Sequence, residues 1–245
     1  IGHHYFIANL TSKDIASSVA LAVNEKHGIW YNPMTGKYHE AIISDKGIQL
    51  NLKSGESRIL ITSNKPVNEW KLGSKVKVGG KEAIAAADSK TIDLTANTWK
   101  LSFTEDAPKV GETFNLKGVK SWEGLSEKAK VMMGTGVYET TIKLSKDDAK
   151  KQWTINLGDV RESARVYINN KYVGCAWAVP YILNCKDALN KGKNTIRIEV
   201  TNLPANRIAE MDRQGVKWRK MKEINVVDIN YKKTTYENWT PVPSG

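Results

Sequence analysis

Apolar and polar residues alternate with a period of two along most of this chain, as expected of strands that bury one face. The pattern is cleanest in "GTGVYETTIKL", Gly134 to Leu144. There Val137, Glu139, Thr141 and Lys143 fall on one side, and Tyr138, Thr140, Ile142 and Leu144 on the other. It continues through Ile155 and Leu157, then through Ala164, Val166 and Ile168. Asn169-Asn170 follows where a two-residue hairpin turn needs positive φ, which asparagine tolerates. A return strand opens at Val173, Lys191-Gly192 makes another turn, and Ile196, Ile198 and Val200 form the core face of a last strong strand. Trp99 sits near the middle of a strand in "TIDLTANTWKLSF", and the glycines of "GTG" read as a bulge or a tight approach. Helical periodicity is nearly absent, and Lys186 to Gly192 allows at most one turn. Residues 91–245 are therefore expected to form an antiparallel jelly-roll sandwich of about eight strands.

Residues 1–65 show the same period in shorter pieces. In "HYFIANL", Tyr5, Ile7 and Asn9 oppose Phe6, Ala8 and Leu10. Thr11 to Asp14 is a turn, "SSVALAV" a second strand, and Asn32-Pro33 and Thr35-Gly36 are turn signals. Two further strands flank Ser54-Gly55. This spacing predicts a small β-sandwich segment over 1–65. Residues 66–90, rich in Gly, Lys and Ala, read as a linker or connecting strands. The expected class is all-β: a small β-sandwich segment, then a jelly-roll β-sandwich.

Composition narrows the function. The chain has 245 residues, 40% hydrophobic and 26% charged, which is a globular balance. No apolar run reaches the roughly 18 residues of a membrane helix, so no membrane partner is expected. The formal charge of +11 comes from lysines scattered along the chain, densest in "KWRKMK" and "YKK". Scattered cations imply a solvated basic surface, with an acidic glycan as the next reading. No nucleic-acid-binding motif accompanies them. Cys175 and Cys185 are too few for a disulfide framework or a zinc site; they are either two buried thiols or a single bridge. His3 and His4 are adjacent in a strand and point apart, which disfavours a shared metal.

Glycoside hydrolysis needs two carboxyl groups roughly 5 to 9 Å apart, one with a raised pKa. Glu139, Glu123, Asp159 and Glu162 are the candidates, but Glu139 lies within a strand, and Asp159 and Glu162 share a turn with Arg161 and Arg165. Solvated ion pairs account for that turn. A sugar-contacting surface fits the aromatic residues better, because sugar CH faces stack on rings. Trp99, Trp122 and Trp153 read as core. Trp177 and Tyr181, in the loop after "VGCAW", and Asn206 and Arg207, in the loop after the last strong strand, are the candidate carbohydrate-binding residues. Asn202, Trp218 and Trp239 lie near them in sequence. Asn9-Leu10-Thr11 and Asn238-Trp239-Thr240 match the glycosylation sequon.

"GTGVYETTIKL", "LGDVRESARVYINNKYVG" and "AWAVPYILNCKDALNKGKNTIRIEVTNLPANR" resemble the galactose-binding-like jelly roll known as the sugar-binding domain of glycoside hydrolase family 2. They are similar to the form at the C-terminal end of large bacterial enzymes of the α-L-rhamnosidase type. "HYFIANLTSKD", "WYNPMTGKYHEA" and "LNLKSGESRILIT" are similar to the β segment that precedes it. The resemblance implies that the catalytic carboxylates lie in a separate barrel N-terminal to this region, so no catalytic residue is expected here. It also implies carbohydrate and that barrel as partners, and a periplasmic or secreted location. The text begins mid-strand and ends where the family usually continues, so a piece of a longer chain is expected. No cofactor is called for; a structural calcium held by backbone carbonyls would leave no trace in side chains. The leading reading is a non-catalytic accessory region of a polysaccharide-degrading hydrolase, acting on an acidic, pectin-like polymer. An independent carbohydrate-binding module is the alternative, and a standalone hydrolase the third.

Overall fold

The computed structural model describes residues 2–34, 36–70, 78–79, 90–185, 187–218 and 235–245. Most of the 66–90 connection and the basic runs at 219–222 and 231–233 lie outside the described residues. The chain divides into two compact units, Ile1–Thr91 and Ile92–Gly245.

The first unit contains β1 (His3–Ala8), β2 (Ile15–Val19), β3 (His27–Asn32), β4 (Lys37–Glu40), β5 (Ile43–Ser44), β6 (Gly47–Leu52), β7 (Ser57–Ser63) and β8 (Val78–Gly79). They form a five-stranded sheet in the order β1-β7-β3-β4-β8 and a three-stranded sheet in the order β2-β6-β5. The chain crosses between the sheets at Ser54-Gly55, so β6 and β7 do not pair with each other. Alternation decides the core: Ile48, Leu50 and Leu52 from β6 meet Trp30 and Leu60. The second strand runs over Ile15–Val19 instead of the expected 17–23, because pairing with β6 sets Ile15 opposite Leu52 and Val19 opposite Ile48.

Asn9 ties the turn after β1 to the crossing after β6. Its side chain is 1% exposed. Its amide donates to the carbonyls of Lys13, Leu52 and Lys53 at 2.7, 3.2 and 3.0 Å. Its oxygen accepts from the Thr11 amide at 3.0 Å. The sequon at Asn9 is therefore closed in the folded chain.

The second unit contains β9 (Thr98–Ala107), β10 (Phe114–Lys117), α1 (Glu127–Val131), β11 (Met133–Leu144), β12 (Thr154–Asn156), β13 (Ser163–Ile168), β14 (Lys171–Ala176), β15 (Ile182–Asn184), β16 (Gly192–Thr201) and α2 (Ala205–Arg213). A six-stranded sheet runs β10-β9-β11-β16-β13-β14, and β12-β15 form a two-stranded sheet. Every pair in this unit is antiparallel. Trp99, Leu101, Tyr138, Val166, Ile168, Ile196 and Ile198 from the large sheet share a core with Ile155 of β12. Asn169 and Asn170 turn the β13–β14 hairpin at φ of 52° and 64°. β9 starts later than expected, because the Asp93 carboxylate accepts the Thr95 amide at 2.8 Å and holds a turn ahead of it.

The core is organised around Trp122, which is fully buried in a short 3₁₀ turn, Trp122–Gly124. Its ring meets Phe103 edge-on at 5.2 Å, and its Nε1 donates to the Tyr138 hydroxyl at 2.8 Å. Gly136 is required beneath it: a Cβ there would lie 2.4 Å from Trp122 Cζ2. Gly134, at φ +149°, marks a register shift between β11 and β9, so "GTG" supplies both the bulge and the close approach. Burial pushes the Tyr138 hydroxyl up to about 12, with Glu123 adding to the rise and Trp122 opposing it. Because the folded value lies above the unfolded one, this protonated phenol stabilises the fold below about pH 10, and that contribution is lost as pH rises through 12. A phenolate absorbance titration is therefore expected to leave Tyr138 largely un-ionised at about pH 11. Complete ionisation there in folded protein would contradict this burial.

Two helices depart from the sequence expectation. Ser126 caps α1 by accepting the Ala129 amide at 3.2 Å. α2 occupies the segment expected to be a loop, and Asn206 and Arg207 stand in its first turn. Pro204 at its start and the run Ala-Asn-Arg-Ile-Ala-Glu-Met suit a helix.

Residues 235–245 then run back across the unit. The Tyr236 amide donates to Asp212 Oδ2 at 2.9 Å, and Arg213 Nη1 donates to the Glu237 carbonyl at 3.2 Å. Asn206 holds both backbone groups of Val242, at 2.8 and 2.9 Å. Trp122 N donates to the Ser244 carbonyl at 2.9 Å, and Arg161 N to the Gly245 carbonyl at 3.2 Å.

Candidate functional site

The four candidate sugar contacts fall in two places within the second unit. Trp177 and Tyr181 lie in the connection between β14 and β15. Trp177 is 64% exposed, an open ring of the kind that stacks on a pyranose. Tyr181 is half-buried, and its carbonyl accepts the Leu157 amide at 2.9 Å. Burial raises the Tyr181 hydroxyl above its ordinary value, followed by Glu162 and Asp159, while Arg161 opposes them. Arg161 Nη2 meets Asp159 Oδ2 at 2.6 Å. This corner therefore offers one exposed ring, a neutral phenol and an ion pair.

Asn206 and Arg207 belong to α2 instead. Asn206 is buried, and its amide is engaged by Val242 at both ends. Asn202 is engaged in the same way, donating to the Met132 carbonyl at 3.0 Å and accepting the Gly134 amide at 2.9 Å. Arg207 lines a groove of about 700 Å³ between α1 and α2, with Glu127, Lys128, Lys130, Glu210, Arg213 and Gln214. Trp177, Tyr181 and Asn206 are not among its lining residues. The groove mixes charges of both signs, and Arg213 is already committed to Glu210 at 2.8 Å.

The carboxyl groups are set up as acceptors. Asp14 is held low by the Ser54 amide and then Lys53, Asp93 by Thr95, and Glu210 by Arg213. Glu25 is raised by burial, but hydrogen bonds from Thr62 and His3 bring it below its ordinary value. Glu139 sits on the outward face of β11, with Lys100 and Arg197 as its cross-strand neighbours. Glu123 accepts a hydrogen bond from the Ser121 hydroxyl. The surroundings of Asp14, Glu25, Asp93 and Glu210 favour the ionised form, the opposite of what a general acid needs. Cys175 and Cys185 are free thiols, and burial pushes Cys185 up to about 11. Among the described residues, no group of three or more His, Cys, Asp and Glu could hold a metal ion.

One cluster escaped the sequence reading. Arg197 lies over the Tyr167 ring at 4.2 Å, and Tyr167 packs against Tyr172 at 5.4 Å. The three residues come from three strands. Their only trace in the sequence is a place at outward positions of the alternating pattern.

Residues 125–242 match the family model described as glycosyl hydrolase 2 galactose-binding domain-like. A protein of Formosa agariphila named "Putative beta-glucuronidase" is 26% identical over 220 residues, which is 82% of this chain and 19% of that protein. The rhamnosidase from Novosphingobium sp. PP1Y aligns over 100% of this chain and 22% of its own, with a TM-score of 0.65 and 19% identity, and shows the same fold. The chain thus spans 19% and 22% of the lengths of these two proteins. Over residues 125–242, within its antiparallel second unit, this chain is similar to the galactose-binding-like domain of the glycosyl hydrolase 2 type.

Proposed function

We propose that this chain is a non-catalytic, sugar-contacting β region of a multidomain glycoside hydrolase that acts on polysaccharide. The observation that carries the reading is the family match over residues 125–242, in a chain that spans only 19% of its curated relative. The state of the carboxyl groups supports it, since those with shifted pKa values are held low. On this reading the reacting pair belongs to a catalytic barrel elsewhere in the parent chain, exported to the periplasm or the medium. The net charge of +11 favours an acidic, pectin-like polymer, and the relative's name points to a uronate as well. The exposed Trp177 favours a second reading, an independent carbohydrate-binding module.

Calorimetric titration of the chain with neutral and uronate oligosaccharides tests both. The expected result is weak binding that prefers uronates and declines as salt rises from about 0.05 M to about 0.5 M, because screening shortens the reach of the charges. Aryl-glycosides should not be turned over. No binding at millimolar sugar would leave only a scaffolding role, whereas turnover abolished by Glu139→Gln would make this chain a hydrolase in its own right.

A further inference from the structure

The outward face of the six-stranded sheet carries one continuous polar and aromatic row. Backbone register sets Asn115 opposite Lys100, Lys100 opposite Glu139, Glu139 opposite Arg197, Arg197 opposite Tyr167, and Tyr167 opposite Tyr172. The row therefore crosses every strand of the sheet. Five inter-strand steps make it about 24 Å long, the reach of an oligosaccharide and not of a single sugar.

The two ends of the row differ in character. Asn115, Lys100 and Glu139 line a shallow groove of about 400 Å³, together with Asn97, Thr98 and Thr141. Short amides, hydroxyls and charges of this kind serve sugar hydroxyls. At the other end Tyr172 is 55% exposed and tilted against Tyr167, which presents ring surface to solvent. Arg197 stands between the ends. Tyr167 at 4.2 Å and Glu199 at 2.7 Å fix its guanidinium, yet its Nε–H has no hydrogen-bond partner. That Nε atom is buried, so a ligand meets this guanidinium only through its exposed part. The side chain is 34% exposed, so a carboxylate can reach the guanidinium from solvent. Cations outnumber acids at the outward positions: Lys100, Lys143, Arg165 and Arg197 stand against Glu139 and Glu199.

We infer that this row is a binding site for a uronate-bearing oligosaccharide, separate from the Trp177 corner. Arg197 receives a sugar carboxylate, Tyr172 stacks on a ring, and the Lys100–Glu139 groove holds hydroxyls of further residues. The inference rests on the sugar-contacting role proposed above and assigns that role a place.

The test is an NMR titration of the chain with tri- to hexa-galacturonate, read against the neutral galactose oligomers. Tyr172→Ala should weaken uronate binding about tenfold, and Arg197→Lys should reduce the preference for uronate over neutral sugar by a similar factor. Tyr172 is exposed, so its variant is expected to keep the wild-type unfolding midpoint. Trp177→Ala should leave this affinity unchanged. Uronate binding lost in Trp177→Ala but intact in Tyr172→Ala would overturn the inference and leave the sugar-contacting role standing. Absence of any uronate binding would overturn both. Hydrogen exchange on the full parent protein adds a third arm: slowed amides on this face without sugar would mean that another domain covers it, which would also overturn the inference.

Discussion

Trp122→Ala is expected to lower the stability of the second unit by about 3–5 kcal/mol, the cost of emptying a large aromatic site in a packed core. The indole has no exposed surface, so the full cavity is created inside the sandwich. Two further losses add to it. The Tyr138 hydroxyl loses its indole donor at 2.8 Å, and Phe103 loses an edge-on partner at 5.2 Å. Neighbours cannot readily fill the space, because Gly136 brings bare backbone against the ring and has no side chain to move inward. Thermal unfolding followed by circular dichroism should show the midpoint of this unit fall by roughly 10 °C. Gly136→Ala probes the same contact from the other side and should destabilise by about 1–3 kcal/mol through overpacking. If both variants melt within a few degrees of wild type, the indole is not the centre of this core.

Asn194→Ala is expected to cost about 2–4 kcal/mol although it removes little apolar surface. The side chain is 0% exposed and makes bonds on both ends. Its oxygen accepts from Asn169 Nδ2 and from the Asn190 amide, each at 2.7 Å. Its nitrogen donates to the carbonyls of Asn190 and Gly192 at 2.7 and 3.0 Å. Alanine removes this partner from the Asn190 amide and from the Asn190 and Gly192 carbonyls, while Asn169 Nδ2 keeps the Ala188 carbonyl at 2.9 Å; a buried unpaired polar group costs about 1–3 kcal/mol. The loss should reach the β13–β14 hairpin, since Asn169 leans on Asn194 while holding the Thr195 amide at 3.0 Å. Urea denaturation measures the free energy, and amide exchange at Asn169 and Thr195 locates it. A change under about 0.5 kcal/mol would mean that water replaces the lost bonds and that the network is incidental.

The strands were legible because each turn announces itself locally. Asn169-Asn170 needs positive φ at both residues, and Ile196, Ile198 and Val200 alternate without interruption. α2 was hidden for the converse reason. Its buried residues are Asn206 and Ala209, so no apolar stripe marks it. Trp177 could be picked as an exposed ring from its loop context. The engagement of Asn206 could not, because its partner Val242 is 36 residues further along and meets it only after the chain turns back. The Arg197–Tyr167–Tyr172 cluster was out of reach for a related reason. Three distant strands build it, and register, not composition, decides which residues become neighbours.

The returning segment at 235–245 bears on how the polypeptide acquires its form on the ribosome. Ser121 Oγ and the Ser244 carbonyl meet at 2.9 Å across a separation of 123 positions. Closing so wide an interval is slow and comes after local hairpins. Translation delivers Trp122 well before Ser244, so the nascent domain waits with the peptide nitrogen above its largest buried ring uncapped. Until residues 235–245 leave the exit tunnel, that end of the sandwich stays open to chaperones and proteases.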